Sequence, residues 1–266
     1  MKIVVAGYGP VGEAVYTALR SHQGLDVYID DPYKGHHLNV NDFVTPVDGV
    51  VVCVATPMSD DGSCDTSNVE DVFTKYDDPN VKFLIKSAVD PVVLRDCADF
   101  GYDGSFTYCP EFLASSNMNR SPTDEFLQQE FAIFGGDDCR WWHEIFKVVL
   151  PRLTEVKYGT LEQASFAKYV ENCFLATKVT FFNEIYKIYE SIGFKGYDQM
   201  IDLLCLDPRI GRSHTQVPGP DNRFGYGGHC FPKDMAALRS LSRHTPLLDA
   251  VVDTNEEHRT NGKEEG

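Results

Sequence analysis

The chain is poor in basic residues and contains no long apolar run. Its 24 lysines and arginines face 40 aspartates and glutamates, which leaves a formal net charge of −16 at pH 7. A surface of this sign repels phosphate backbones, so nonspecific nucleic-acid binding is excluded. No segment is long and apolar enough to span a membrane, and the first residues are typical of a strand rather than of a signal peptide. Length and composition therefore favour a globular chain of one large or two modest domains.

The eight cysteines do not follow the spacing of a metal site or of a disulfide framework. They stand at positions 53, 64, 97, 109, 139, 173, 205 and 230, and no two form a C-x-x-C pair. His36 and His37 have no further partner at metal-site spacing. Scattered thiols of this kind are typical of a reducing compartment. We therefore predict a cytoplasmic protein with reduced cysteines and no bound metal.

The N-terminus combines a strand pattern, a glycine motif and a helix pattern. Lys2–Ala6 is a short apolar run, Gly7–Gly12 reads G-x-G-x-x-G, and Glu13–Arg20 has helical character. In this arrangement the first glycine permits a tight turn, the second lets a pyrophosphate approach the backbone, and the third lets helix and strand pack closely. The motif and its context together predict a dinucleotide-binding site.

A second strand pattern, Leu25–Asp30, ends in an acid. Asp30 stands 18 residues after Gly12, close to the usual spacing of the carboxylate that binds the adenosine ribose. An acid at this position would repel a 2′-phosphate. The sequence therefore predicts NAD rather than NADP as the cofactor, with Asp30 on the ribose.

Strand and helix patterns alternate up to about residue 150. Four further strand patterns follow the second, at 49–55, 81–87, 106–109 and 130–136. This alternation predicts a doubly wound, mostly parallel sheet. Ligands bind beyond the carboxyl ends of the strands in such sheets. Thr56, Ser87 and Glu111 stand at three of these ends, which favours a functional role for them.

From Thr160 the pattern becomes helical. Leu161–Ser191 has no proline or glycine and predicts one long helix, with shorter helices at Tyr197–Leu204 and Asp234–Ser242. Lys168 and Asn172 are four residues apart and share a helix face, either as catalytic groups or as a solvated pair on an amphipathic surface. Apolar side chains exceed what one inward stripe requires, so we predict a C2 homodimer through this helix. The large aromatic ones are Phe166, Tyr169, Phe174, Phe181, Phe182 and Tyr186.

The run Phe224–Asp234 is the most informative segment of the chain. Its three glycines form a flexible turn that makes room for a ligand beside the sulfur of Cys230, which follows at once. If Pro232 opens a helix, Cys230 lies just before the helix N-terminus, where unpaired N–H groups and the helix dipole favour a thiolate. We therefore predict that Cys230 is a nucleophile.

These segments together resemble the UDP-glucose/GDP-mannose dehydrogenase family. The resemblance runs in order over essentially the whole chain, and the cysteine segment is its most specific part. The matching segments beyond the glycine turn are Val52–Pro57, Asp60–Ser63, Cys109–Leu113, the helix from Lys168 through Asn183 and Glu184, Arg209–Gly211 and Gly227–Asp234.

The resemblance implies a fold and a reaction. It implies a Rossmann-like NAD-binding domain over residues 1–159, followed by a helical dimerisation domain over residues 160–266 that carries Cys230. It also implies a four-electron oxidation of a nucleotide sugar, UDP-glucose before GDP-mannose or another UDP-sugar. NAD would oxidise the C6 alcohol to an aldehyde, Cys230 would add to it as a thiohemiacetal, a second NAD would leave a thioester, and water would release the uronic acid.

The resemblance also implies roles for individual residues. Lys168 and Asn172 would stabilise the oxyanion, Asp234 would orient a water or partner the lysine, and Glu111 would be the base in thioester hydrolysis. The cofactor would bind Gly7, Gly9, Pro10, Val11, Gly12, Asp30, Thr56, Pro57 and Ser87. The substrate would bind Phe112, Leu113, Lys168, Asn172, Tyr226, Gly227, Gly228 and Arg209, the last of these from the neighbouring subunit of the dimer.

The chain departs from the family pattern in three ways. Ala88 stands where the family carries a threonine that helps to position water and cofactor, and Ser115 stands where a second glutamate is common. The family normally continues into a second Rossmann-like domain that grips the nucleotide half of the substrate, and we expect this chain to lack it. Arg212 and Arg223 either supply substitute charge to a diphosphate or belong to a solvated loop. Two function classes therefore remain. The first is an active NAD-dependent nucleotide-sugar dehydrogenase, and the second is a reduced, poorly active or partner-dependent NAD-binding relative.

Overall fold

The structure is a computed structural model that describes residues 1–96, 102–113 and 120–261. The described residues fall into two compact units. The first unit comprises Met1–Ser59 and Cys64–Lys168, and the second comprises Asp60–Ser63 and the chain from Tyr169 onward. The domain boundary between residues 159 and 160 stays a prediction.

The first unit is built on a seven-stranded sheet. Its strands are β1 (Lys2–Ala6), β2 (Asp26–Asp30), β3 (Gly49–Val52), β4 (Lys82–Ile85), β5 (Ser105–Tyr108), β6 (Phe131–Gly136) and β7 (Glu155–Gly159). They lie in the order β2-β1-β3-β4-β5-β6-β7. The five strands β1 to β5 are mutually parallel, β6 is antiparallel to β5, and β7 is parallel to β6. The predicted mostly parallel α/β sheet is confirmed.

In the part of the chain that the structure describes, five α-helices lie wholly within the first unit. They are α1 (Pro10–Arg20), α2 (Ser67–Lys75), α3 (Pro91–Asp96), α4 (Pro122–Leu127) and α5 (Cys139–Val149). Alternate residues of each strand enter opposite core layers, because successive side chains of a strand point to opposite faces. Val5 of β1 packs in the layer that contains Trp142 of α5, whereas its neighbour Val4 packs in the layer that contains Phe73 of α2.

The second unit is helical. Helix α6 (Leu161–Ser191) enters it at Tyr169, and α7 (Tyr197–Leu204), α8 (Cys230–Ser240) and α9 (Pro246–Asn261) follow. Cys173 and Ala176 of α6 pack with Met235 of α8 and Val251 of α9. Within the described part of the chain, no helix is both long and apolar enough to cross a membrane.

Candidate active site

The glycine turn after β1 has the geometry of a phosphate cradle. Gly7 has φ +88°, and a Cβ on it would lie 2.6 Å from the carbonyl oxygen of Cys53. A Cβ on Gly12 would lie 2.0 Å from the carbonyl oxygen of Gly7, so neither position accepts a side chain. A Cβ on Gly9 would meet nothing within 4 Å, which leaves open space at that position. Helix α1 begins there at Pro10 and Val11 with no side-chain cap on its N-terminal N–H groups. These features fit the pyrophosphate of a dinucleotide.

Two adjacent carboxylates at the end of β2 have different surroundings. Asp30 is buried, and its Oδ2 accepts hydrogen bonds from Lys75 Nζ at 2.6 Å and from Tyr76 Oη at 2.8 Å. Burial, together with Asp30, raises the pKa of the Tyr76 hydroxyl. The Oδ2 atom of Asp31 instead accepts a hydrogen bond from the backbone N–H of Tyr8, inside the glycine turn, at 2.8 Å.

Asp31 therefore competes with Asp30 for the predicted ribose contact, and the sequence analysis did not consider it. The structure gives Asp30 partners inside the protein and places the Asp31 carboxylate against the turn. The signal was present as two consecutive acids, but spacing alone does not say which of them faces the turn. The assignment of Asp30 to the ribose stays a prediction, and Asp31 is the alternative that the structure adds.

The residues that follow β3 and β4 lie at the same sheet edge as the glycine turn, because these strands are parallel to β1. Thr56, next to Pro57, is buried. Ser87 is also buried, and its hydroxyl donates to the carbonyl of Val54 at 2.7 Å. Ala88 offers no hydroxyl, and its carbonyl accepts from Cys64 Sγ at 3.3 Å. Ser115 lies outside the described residues.

Glu111, after β5, is held by a buried lysine that the sequence reasoning missed. The side chain of Lys86 is 1% exposed, and its Nζ lies 3.2 Å from Glu111 Oε2. The Oε1 atom of Glu111 accepts from Gln129 Nε2 at 2.8 Å and from the backbone N–H of Phe112 at 2.9 Å. Both carboxylate oxygens are therefore engaged. The lysine also lies near the rings of Phe126 and Phe146, at 5.4 and 5.3 Å from their centroids.

Two thiols surround this ion pair. Burial alone would lower the pKa of Lys86, but Cys109 and Glu111 raise it above its ordinary value. Burial raises the pKa of the Cys53 thiol to about 12 and also raises that of Cys109. Both are therefore neutral thiols near pH 7, and neither has the thiolate character of a nucleophile.

Cys230 has a different environment in the second unit. It is exposed and is the first residue of α8, whose N-cap is His229. The predicted start at Asp234 is four residues too late. Pro232 does not open the helix but lies within its first turn, where a missing N–H removes no helical hydrogen bond. The sulfur therefore lies at an end that presents unpaired backbone N–H groups.

Asp234 lies one turn after Cys230 and joins α8 to α6. It is 2% exposed. Its Oδ2 accepts from Asn172 Nδ2 at 2.5 Å, and its Oδ1 lies 2.5 Å from Lys233 Nζ. Asn172 is also buried. The structure thus brings together two of the predicted catalytic residues, Asn172 and Asp234, and adds Lys233 as a partner of the carboxylate.

Lys168 and Phe112 come together in the first unit. Lys168 lies one turn before Asn172 on α6, and its Nζ is 4.6 Å from the centroid of the Phe112 ring. This distance is that of a cation–π contact. Leu113, the next residue after Phe112, packs against the core layer that contains α1 and α5. Lys168 and Phe112, both predicted to bind the substrate, therefore contact each other.

The remaining predicted substrate residues lie in the second unit. Tyr226 is buried, and a Cβ on Gly227 would lie 2.3 Å from Arg259 Nη2, whereas a Cβ on Gly228 would meet nothing within 4 Å. Arg209 is exposed and donates from Nη2 to Asp207 at 2.6 Å. Arg212 lies 2.5 Å from Asp202 and 3.6 Å from Asp198, so its charge already has carboxylate partners.

Comparison with known proteins gives matches over most of the chain. Residues 162–257 match the model of the UDP-glucose/GDP-mannose dehydrogenase family, central domain. UDP-glucose 6-dehydrogenase TuaD of Bacillus subtilis is 29% identical over 226 residues, which cover 80% of this chain and 47% of that protein. UDP-glucose 6-dehydrogenase of Rickettsia typhi is 30% identical over 250 residues, which cover 87% of this chain and 55% of that protein.

A solved structure supports the same relationship. The UDP-glucose dehydrogenase of Pyrobaculum islandicum superposes with a TM-score of 0.76 at 25% identity, over 96% of this chain and 68% of that one. The chain spans about half the length of the curated relatives it matches. The α/β sheet with its glycine turn is followed by helices that match a family-specific central domain. The chain therefore belongs to the UDP-glucose/GDP-mannose dehydrogenase family.

Proposed function

We propose that the protein oxidises a nucleotide sugar at C6 to the uronic acid, with NAD as the cofactor and UDP-glucose as the first candidate substrate. One observation carries the proposal. Cys230 is exposed at the start of α8, one turn from a buried Asp234 that is bonded to Asn172. The relatives named UDP-glucose 6-dehydrogenase support the choice of substrate.

The cofactor would bind at the glycine turn. Gly7, Gly9 and Gly12, with Pro10 and Val11 at the start of α1, would hold the pyrophosphate, and Thr56, Pro57 and Ser87 would line the neighbouring strand ends. A carboxylate at the end of β2 would bind the ribose. When bound, NAD supplies the hydride acceptor for both two-electron oxidations.

The side chains provide the covalent chemistry. The Cys230 thiolate adds to the aldehyde carbon, so a C–S bond forms and the carbonyl π pair moves to oxygen. Lys168 and Asn172 stabilise that oxyanion. Asn172 retains a second amide N–H for this purpose, since one already donates to Asp234. After the second oxidation, water attacks the thioester, Glu111 accepts a proton from it, and the thiolate leaves with release of the acid.

The protein would act as a cytoplasmic homodimer. Phe166, Phe174 and Phe181 of α6 are 47, 65 and 55% exposed, although the same helix buries Tyr169 and Phe182. A second copy of α6 is the natural cover for this surface. By resemblance, Arg209 would then reach the neighbouring subunit's site. The described cysteines are free thiols, in agreement with a reducing compartment.

Ala88 favours a second candidate function. A threonine at this position would offer a hydroxyl for water and cofactor, which Ala88 lacks. The alternative is an NAD-binding relative that turns over poorly or needs a partner chain. The two candidates differ in the rate of NADH release by the purified protein.

NADH release with UDP-glucose and GDP-mannose in parallel tests the proposal. Cys230→Ser should abolish uronic acid formation and leave NAD affinity nearly unchanged, since the glycine turn is a separate site. Cys205→Ser is the matched control, because Cys205 is a half-buried thiol of the same unit. Full uronate production by the Cys230→Ser variant would show that Cys230 is not the nucleophile. NAD binding without turnover of any nucleotide sugar would support the second candidate.

A further inference from the structure

The loop of residues 221–229, which leads into Cys230, is fixed by a buried asparagine of α9. Asn255 is 7% exposed. Its Oδ1 accepts from the backbone N–H of Tyr226 at 2.7 Å, and its Nδ2 donates to the carbonyl of the same residue at 3.1 Å. One side chain thus satisfies both backbone groups of Tyr226, four residues before the sulfur. An amide is well suited to this pairing, because it combines an acceptor and a donor in one plane.

A second buried asparagine holds the preceding residue from another helix. Asn183 of α6 is 1% exposed, and its Oδ1 accepts from the backbone N–H of Gly225 at 2.9 Å. Its Nδ2 donates to the carbonyl of Val179 at 2.8 Å, which fixes the orientation of the amide. Arg259 of α9 adds an ion pair to Asp221 at 2.7 Å. We call Asn183, Asn255 and Arg259 the loop clamp.

The glycines of this loop fall into two kinds. A Cβ on Gly225 would lie 2.5 Å from Asn255 Oδ1, and one on Gly227 would lie 2.3 Å from Arg259 Nη2. These two glycines make room for the clamp side chains. A Cβ on Gly228 would meet nothing within 4 Å, so only Gly228 borders open space.

We propose that the loop clamp positions Cys230 for its reaction. The clamp residues are positioning residues, because Asn183 and Asn255 bond the backbone of the loop and Arg259 pairs with the Asp221 side chain. The inference rests on the proposed role of Cys230 as nucleophile. Loss of Asn255 leaves two buried backbone groups of Tyr226 without partners, and the loop can recover them only by opening toward water. An open loop no longer holds the sulfur in one place.

The chain itself offers a probe that needs no substrate. Arg223 is exposed at the start of the loop and is a trypsin site. In native protein, cleavage there follows the population of the open loop. Asn255→Leu and Asn183→Leu should speed cleavage after Arg223 by about tenfold or more, since each removes buried hydrogen bonds. Asp253→Asn, at an exposed position of α9, is the matched control and should leave the rate unchanged.

Kinetics then separate positioning from folding. For both leucine variants we expect kcat to fall by about tenfold or more while the KM for NAD changes less than twofold, because only oriented groups are lost. Unchanged trypsin protection would overturn the clamp, and lost protection with unchanged kcat would overturn its link to Cys230. Loss of NAD affinity in the same variants would assign the asparagines to general stability. A wild-type chain without turnover would contradict the proposed function instead, and the cleavage rates would still decide whether the clamp holds the loop.

Discussion

At the scale of single residues, the Lys86–Glu111 ion pair both stabilises the fold and holds the proposed base, Glu111. Both side chains are almost fully buried, at 1 and 7% exposure. Lys86→Met removes the counter-charge and leaves a buried carboxylate unpaired, which should lower the free energy of unfolding by about 3–5 kcal/mol. The double variant Lys86→Met/Glu111→Gln removes both charges and should recover most of this loss. Urea unfolding of the two proteins measures the difference. A double variant no more stable than the single one would show that the pair is not the cause.

The two acids after β2 give a second residue-scale prediction. The Asp31 carboxylate lies against the glycine turn, whereas Asp30 has Lys75 and Tyr76 as partners. We therefore expect Asp31→Asn to weaken NAD binding by roughly tenfold or more, the loss of a hydrogen bond to a charged group. Asp30→Asn should chiefly lower the unfolding temperature. Calorimetric titration with NAD and NADP, beside thermal unfolding, measures both effects. The opposite pattern would show that Asp30 binds the ribose, as the sequence predicts.

Residue-scale features were the least predictable from the sequence. The cysteine segment predicted Cys230, the family resemblance implied roles for Asn172 and Asp234, and the structure brings the last two into contact. Spacing could not find Lys86, because a lysine that ends an apolar strand looks like an exposed terminal residue until its partner is known. It also could not choose between Asp30 and Asp31, since the choice depends on the direction in which each side chain leaves the strand.

At the scale of elements, six of the seven described strands and the helices α6 and α7 were predicted close to their observed bounds, whereas the edge strand was not. The bounds of α6 and α7 are confirmed, because no glycine or proline interrupts residues 161–191 and Gly193 and Gly196 punctuate the gap between the two helices. Strand β7 was missed. Its residues Glu155, Lys157 and Tyr158 are exposed at the edge of the sheet, so it lacks the apolar run that identifies a buried strand.

Helix α9 carries a pH-sensitive group. His258 is 4% exposed, and burial, followed by the charge of Lys187, lowers its pKa. Below the ordinary pKa of about 6.5, the unfolded chain binds a proton that the folded chain binds less readily, so stability falls as pH falls. The urea midpoint should therefore drop between pH 7.5 and pH 5.5, and His258→Leu should reduce that drop. His244→Gln, at an exposed position, is the control and should keep the wild-type drop. Equal drops in all three proteins would exclude His258 as the source.

At the scale of the whole molecule, the exposed phenylalanines of α6 predict assembly. Phe174 is 65% exposed. In a dimer through α6 it would be buried, so Phe174→Asp should yield a monomer by placing a charge in an apolar interface. Light scattering measures the mass. Val148→Asp changes an exposed apolar residue of α5, which is 57% exposed, and should leave the dimer intact. A wild-type monomer, or equal dissociation by both variants, would contradict the proposed interface.

Because of the loop clamp, the position of Cys230 depends on the rotation of α9 about its own axis. Asn255 and Arg259 are four residues apart, so they project from one side of the helix. One residue inserted after Val251 would turn both side chains by about 100° around the axis, away from the loop, because a helix has 3.6 residues per turn. The composition and apolar character of α9 would hardly change. Helix α9 can therefore bond the loop in only one rotation about its own axis.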